Sequence, residues 1–270
     1  MITALYIFLI ALGVGGLGSM LGIGGGVLLT PILTTFFGVP IKTAIGASIV
    51  SVIATSSAAG AVYVSRGLTH TRLAMVLEIA TTAGALAGGI TAIFLDPQWL
   101  SGIFGIVLLY VAVNMTFIRR QEFAFGKTGY LDTDYIDPKN NQKVEYGVRK
   151  MGAGSLASLV AGNISGLLGI GGGVIKVPVM NLIMGVPIRA SIATSNFMIG
   201  ITAATSAVIY YQHGYLNPSI AIPTALGVLF GAQMGARLSG KIRSIRLRQI
   251  FALVMVAFSI LMFSRAFTGG

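Results

Sequence analysis

The sequence predicts an all-α polytopic membrane protein built from two inverted-topology repeats. Each repeat is a glycine-tipped re-entrant helical hairpin followed by three transmembrane helices. Three observations predict this. Of 270 residues, 55% are hydrophobic and only 9% are charged, against about 25% charged in an ordinary soluble domain. Several stretches of 17 or more residues carry no charge, long enough as helices to cross ~30 Å of hydrocarbon. Finally, the stretch Leu21-Gly22-Ile23-Gly24-Gly25-Gly26-Val27 recurs as Leu168-Gly169-Ile170-Gly171-Gly172-Gly173-Val174, an offset of 147 residues (168 less 21).

The offset holds without a gap well beyond the motif. Pro31 matches Pro178, Gly38-Val39-Pro40-Ile41 matches Gly185-Val186-Pro187-Ile188, and Ser48, Tyr63, Gly67, Gly84 and Gly88 match Ser195, Tyr210, Gly214, Gly231 and Gly235. Self-similarity of this extent means two copies of one structural unit. The chain divides into a first membrane repeat, 1–118, a cytoplasmic linker, 119–150, and a second membrane repeat, 151–270.

In the first repeat an apolar arm over 2–21 leads to the glycine tip at 22–26 and a shorter arm at 27–37. The N-terminus has no basic n-region, and 7–21 corresponds to the internal stretch 154–168, so a retained arm is expected rather than a cleaved signal peptide. Eleven residues of helix rise only ~16 Å, about half a bilayer. Arm, tip and short arm should therefore enter and leave on the same side. A turn at Gly38-Val39-Pro40 precedes three helices at 43–64, 73–95 and 100–118. The second repeat follows the same plan: arm 151–168, tip 169–173, arm 174–184, turn 185–187, and helices at 190–211, 219–239 and 248–264. The linker holds seven basic residues (Arg119, Arg120, Lys127, Lys139, Lys143, Arg149 and Lys150) and five acidic ones, and reads as a solvated connector with at most short structure.

A same-side hairpin leaves three crossings per repeat, an odd number, so the repeats should lie upside down relative to each other. Basic residues in short loops mark the cytoplasmic side. With the linker inside, the inner loops hold 15 of the 18 basic residues, including Arg66, Arg72, Arg189, Arg237, Lys241, Arg243, Arg246 and Arg248. The outer side holds only Lys42 and Arg265, and Lys176 is intramembrane. A parallel repeat would put the basic cluster 237–248 outside. The inverted arrangement places both termini outside. The net charge of +11 is thus an orientation signal, and no nucleic-acid partner is expected. With no cysteine, disulfides, thiolate metal sites and redox thiols are excluded; no metal or cofactor is expected.

The tips are the first candidates for chemistry. Irregular backbone at membrane depth survives where protein or water surrounds it. The short arm after each tip begins a helix whose free N–H groups suit an anion, and two inverted hairpins bring two such ends towards the midplane. Gly24, Gly25, Gly26, Gly171, Gly172 and Gly173 are therefore substrate-binding candidates, tight packing being the alternative. The G-x-G-G-G spacing is not the dinucleotide G-x-G-x-x-G, and no βαβ context exists. Ser48, Ser51 and Thr55 share a helix face; the second repeat offers Ser191, Thr194, Ser195, Asn196, Thr202 and Ser206. Such groups donate to an anion or bond between helices. Ser48, Ser51 and Ser195 are candidates, behind Asn163 and Asn196, which are more polar than packing requires.

Lys176 lies three residues past the second tip, where a charge marks a functional site by default unless it snorkels to the surface. Its partner in the first repeat is Leu29. Glu78 lies about two turns inside its helix, as a coupling group or half of a structural ion pair with Arg237 as counterion; its repeat partner is Ala225. Gly84-xxx-Gly88 and Gly231-xxx-Gly235 are packing faces. Intramembrane hydrolysis needs a nucleophile with a base, or paired carboxylates. Glu78 is the only deep acid, and His70 and His213 fall in loops, so no enzyme is expected.

The paired L-G-I-G-G-G-V…P motifs, the G-V-P turns and Ile192-Ala193-Thr194-Ser195-Asn196 resemble the TauE/SafE sulfite exporter family across both repeats. The resemblance implies a secondary transporter that exports sulfite, organosulfonates or related small anions across a bacterial inner membrane. The residues themselves reach a transporter and an anion, not sulfur. An importer of the same anions or of small carboxylates stays open, as does an anion channel. The expected partners are a small anionic substrate and the lipid bilayer, with a homo-oligomer left open.

Overall fold

The computed structural model describes residues 2–117, 131–137, 141–238 and 244–268. In a bilayer the backbone must satisfy its own polar groups, which makes each long apolar run a helix. The first repeat folds as α1 (Ile2–Leu21), α2 (Gly26–Phe37), α3 (Ile41–Ser65), α4 (Thr71–Phe94) and α5 (Pro97–Phe117). The second folds as α6 (Met151–Leu168), α7 (Gly173–Pro178), α8 (Ile188–Gln212), α9 (Pro218–Leu238) and α10 (Ser244–Thr268). All but α7, which ends six residues before the expected 184 (184 less 178), lie within four residues of the expected arms and spans. Pro40 and Pro187 stand just before α3 and α8, where a fixed φ and a missing N–H cost nothing. Eight of the described helices are long and apolar enough to cross a membrane. α2, with 12 residues, rises only ~18 Å and stops short.

The second short arm differs from the first. After Pro178 it widens into a π-helical turn over Val179–Ile183, with the Met184 N–H donating to the Val179 carbonyl. Asn181 Nδ2 reaches forward to the Val186 carbonyl at 3.0 Å. At the equivalent position in α2, Thr34 turns its hydroxyl back onto the Thr30 and Pro31 carbonyls, and that arm stays α-helical.

The repeats interleave. α1 packs along α9 and α6 along α4, α3 and α8 cross at the centre, and α5 pairs with α10. The close approaches are reciprocal. A methyl group on Gly84 would strike the Leu159 carbonyl and one on Gly231 the Leu12 carbonyl, with Gly88–Asn163 and Gly235–Gly16 forming the next matched pair. Helices come this near only where a side chain is missing. Large apolar residues such as Leu9, Ile79, Phe94, Trp99 and Leu253 are exposed, while Ser48, Ser51, Thr55, Ser195, Asn196 and Thr202 are buried, the distribution that a hydrocarbon solvent favours.

Two end contacts relate the turns. Arg66, after α3, donates to the Ala236 and Arg237 carbonyls at the end of α9. Lys42, at the start of α3, donates to the Ile93 carbonyl at the end of α4 and lies over the Tyr215 ring in the α8–α9 turn.

The linker is more than a solvated connector. Strands β1 (Thr133–Ile136) and β2 (Lys143–Tyr146) form an antiparallel hairpin, Thr133 facing Tyr146 and Ile136 facing Lys143. One face is apolar, and Tyr135, Tyr146 and Val148 are buried with Leu68, Leu73, Met180, Met184, Val186 and Ala190. The Arg149 N–H donates to the Met184 carbonyl, Arg189 pairs with Asp137, and His70 Nε2 bonds the Leu131 carbonyl at 2.9 Å. Arg119, Arg120, Lys127, Lys139, Lys241 and Arg243 lie outside the described residues, as do the side chains of Arg246 and Arg248.

Candidate functional site

The two tips meet. The chain reverses through Gly22 and Gly24 (φ 75° and 72°) in one and Gly171 and Gly172 (φ 80° and 71°) in the other, a region that residues with a Cβ rarely enter. A methyl group on Gly26 would press on the Gly169 carbonyl, and one on Gly173 on the Gly22 carbonyl, 147 residues apart in each case (169 less 22, 173 less 26). α2 and α7 begin at this contact. Among the described residues the amides of Gly25, Gly26, Val27, Gly172, Gly173 and Val174 find no hydrogen-bond acceptor. Orphan amides at helix N-termini are what an anion satisfies.

Of the polar candidates, Ser48 and Ser195 reach the tips. Ser48 Oγ donates to the Gly26 carbonyl at 3.1 Å and accepts from Thr30 Oγ1 at 2.8 Å. Ser195 Oγ donates to the Gly22 carbonyl at 2.9 Å. Asn196 Nδ2 donates to the Ser19 and Ile192 carbonyls, and its buried Oδ1 has no partner among the described residues. The same holds for Ser165 Oγ beside the second tip. Ser51 bonds the Ala47 carbonyl within its own helix. Asn163 lies on α6 where its backbone meets Gly84 and Gly88 of α4. These two stand apart from the tip contact.

Lys176 does not snorkel; its side chain is fully buried. Its Nζ lies 3.6 Å from Glu78 Oε2 and donates to Thr202 Oγ1 at 3.0 Å. Thr202 Oγ1 donates to Glu78 Oε1 at 2.6 Å. The expected pairing of Glu78 with Arg237 is therefore corrected: the cation at Glu78 is Lys176, and Arg237 is exposed at the end of α9. The physical reason is position. α7 packs on α8 and α8 on α4, so the two buried charges converge on Thr202, whereas Arg237 is at the surface. Repeat-related positions carry Leu29, Thr55 and Ala225, so the charged triad occupies one of two equivalent places. The sequence places Thr202 only on a polar face; an isolated acid and base in an apolar core are the signal that they must pair.

Lys176 and Glu78 are shut off from solvent, with side-chain exposures of 0% and 7%. The cavity against the tips, lined by Ile23, Asn114, Gly173 and Val174 among others, measures about 10 Å³, at the lower limit for one water.

Eight described helices long and apolar enough to cross a membrane, around a buried polar core, mark a multi-pass membrane protein. The profile of the family described as "Sulfite exporter TauE/SafE" matches residues 7–262, and the chain belongs to that family, one of membrane transporters rather than enzymes. Among its relatives, the probable membrane transporter protein YunE of Bacillus subtilis is 25% identical over 261 residues, 93% of this chain and 94% of its own length. A probable membrane transporter protein of Xylella fastidiosa is 27% identical over 259 residues, 93% of each chain. Sulfite exporter TauE/SafE family protein 6 of Arabidopsis thaliana is 27% identical over 119 residues, 44% of this chain and 27% of its own length. No solved structure matches.

Proposed function

We propose that the chain is a secondary transporter exporting small sulfur-containing anions, such as sulfite or organosulfonates, by alternating access around the two tips. The observation that carries the reading is Lys176, a buried cation three residues past a tip whose amides lack acceptors. In the closed arrangement Glu78 holds that charge. An entering anion competes with Glu78 for Lys176, while tip amides, Ser48, Ser195 and Asn196 serve as neutral donors once the hairpins part. The displaced carboxylate is where a coupling cation would act. Sulfur and the direction of transport come from the family's description. The 10 Å³ cavity favours a carrier that opens to each side in turn over a standing pore.

The inverted arrangement belongs to the same proposal. In a parallel repeat the α3–α4 turn and the α9–α10 turn lie on opposite faces, because one more crossing separates their repeat positions. The contact of Arg66 with the end of α9 supports inversion. The linker is then cytoplasmic and both termini are outside, in a bacterial inner membrane.

Flux of sulfite and methanesulfonate into proteoliposomes tests the proposal. Lys176→Met/Glu78→Met removes both charges and strands neither; its flux should fall about 10–100-fold, the weight of one charge-assisted hydrogen bond. Glu78→Gln, which frees Lys176, should lower KM. Saturable flux unchanged in the double variant would remove Lys176 from the mechanism.

A further inference from the structure

Lys42 and Arg265, the two basic residues of the outer face, line the same cavity of about 410 Å³. Its walls come from four places: the α2–α3 turn with the start of α3 (including Thr43), the start of α5 with Gln98, Tyr215 of the α8–α9 turn, and Arg265 near the end of α10. The volume is far above the ~30 Å³ that a water occupies in the liquid.

Lys42 is held in place, and both cations are left without an ion pair among the described residues. Lys42 Nζ spends one donor on the Ile93 carbonyl at 2.8 Å and sits 5.5 Å from the Tyr215 ring centre; an ammonium has further donors to give. Among the described residues neither Lys42 nor Arg265 makes an ion pair. Asp96, next to the cavity wall at Pro97, is exposed and pairs with neither. The repeat supplies an internal control. The counterpart of Lys42 is Arg189 (189 less 147), and Arg189 is paired with Asp137 of the linker hairpin. One end of the molecule neutralises the basic residue at the start of its crossing helix; the other leaves it open on a cavity and adds Arg265.

We propose that this cavity is a second anion site, separate from the tips, that takes a small soluble oxyanion carrying a sulfonate- or sulfate-like group. The Arg265 guanidinium offers a planar fork to two oxygens, and Lys42 a point charge to the third. Thr43 and Gln98 supply neutral donors. The proposal rests on the transporter reading for calling this face the outer one and for choosing sulfonate and sulfate among the oxyanions that a fork and a point charge would hold. Exposed charges are screened over about 8 Å at physiological salt, so occupancy falls as salt rises, as suits a vestibule that loads or releases rather than stores.

Reactivity of Lys42 tests the site without requiring transport. The full chain in phosphatidylcholine nanodiscs is treated with an impermeant amine-acylating reagent, and modification at Lys42 and at the exposed Lys143 is read by mass spectrometry. At constant ionic strength, sulfate or methanesulfonate in place of chloride should slow Lys42 several-fold and saturably, and leave Lys143 unchanged. Arg265→Gln should raise the half-protecting concentration about tenfold, and Arg265→Lys should recover part of it. Lys42 reactivity indifferent to both anions, or protection equal in Arg265→Gln, overturns the proposal. Protection seen only in discs containing phosphatidylglycerol assigns the cavity to a lipid headgroup and overturns it too. Protected Lys42 in a protein without sulfite or methanesulfonate flux would refute the transport proposal and leave this site standing; intact flux with unprotected Lys42 would do the reverse.

Discussion

Lys176→Met leaves Glu78 without its cation in the closed centre of the protein. Among the described residues Glu78 Oε2 has no hydrogen bond and faces Lys176 Nζ at 3.6 Å; Oε1 keeps the bond from Thr202, and the Thr82 hydroxyl is a further neighbour of the carboxylate. Breaking a buried pair by deleting one partner costs about 3–5 kcal/mol, because the other charge stays buried. At ~2–4 °C per kcal/mol for a domain of this size, Tm should drop by about 6–20 °C. Adding Glu78→Met removes the stranded charge. Thr202 then falls back on the Met198 carbonyl, which it already approaches at 3.3 Å, so the double variant should return to within about 1.5 kcal/mol of the parent. Thermal unfolding of the detergent-solubilised protein, followed by fluorescence, reads all three. A single variant as stable as the parent, or a double variant worse than the single, would refute the claim that the two charges depend on each other.

Gly84→Ala and Gly231→Ala should each cost about 1–3 kcal/mol, since the new methyl meets a backbone carbonyl that cannot rotate away. Gly13→Ala, with nothing within 4 Å, should instead gain about 0.5–1 kcal/mol; thermal denaturation separates them. In this cysteine-free chain, Ser65→Cys and Leu238→Cys should react with an impermeant maleimide from the same side of the membrane and Gln98→Cys from the other; opposite sides for the first two sink the inverted repeat. Neutral His70 accepts from the Leu73 N–H at Nδ1 while Nε2 bonds the Leu131 carbonyl. Burial holds its pKa below 6.5, with the Arg72 charge acting the same way and the Leu131 bond opposing. The unfolded state therefore binds more protons in that window, and His70's contribution is present above pH 6.5 and lost as pH falls through the folded pKa. Hydrogen-exchange protection of Tyr135 and Tyr146 should decline on acidification by at most ~1.4 kcal/mol per pH unit. His70→Gln should abolish that dependence, and its persistence would clear His70.

The helices were legible because lipid leaves a backbone one main option, and the duplication supplied every boundary twice. Ser48 and Ser195 were legible for the same reason: equivalent positions on helices that follow equivalent tips. Glu78 with Lys176 was not, because no repeat position predicts a contact between α4 and α7. It depends on the exchange of helices between the halves, which sets α8 between them. Arg237 was the cation at hand in a reading by helix ends. The linker hairpin was hidden by its charges: Tyr135, Tyr146 and Val148 are three apolar positions in a polar stretch, and strands of four residues are too short for alternation to stand out. Nor did composition mark the π-helical turn, since Pro31 and Pro178 occupy matching places and only Pro178 is followed by one.

Duplication makes the protein nearly symmetric in its contacts, and this bears on how its two open states can differ in energy. In the proposed cycle, exchanging the conformations of the repeats turns an inward-open state into an outward-open one. Contacts that occur as matched pairs, such as Gly84–Leu159 with Gly231–Leu12, contribute alike to both states and cancel. A population shift requires a difference between the states, so the unmatched contacts set the resting preference. They include Lys176 with Glu78 where the other repeat has Leu29 and Ala225, Arg189 on Asp137 where Lys42 is open, and the hairpin packed on Met180, Met184 and Val186. The last two bind at the linker's end of the molecule and would be lost when that end opens. In that proposed cycle these contacts favour the closed, linker-covered face, and a substrate entering from the linker's end would have to supply the free energy that separates the hairpin from α8.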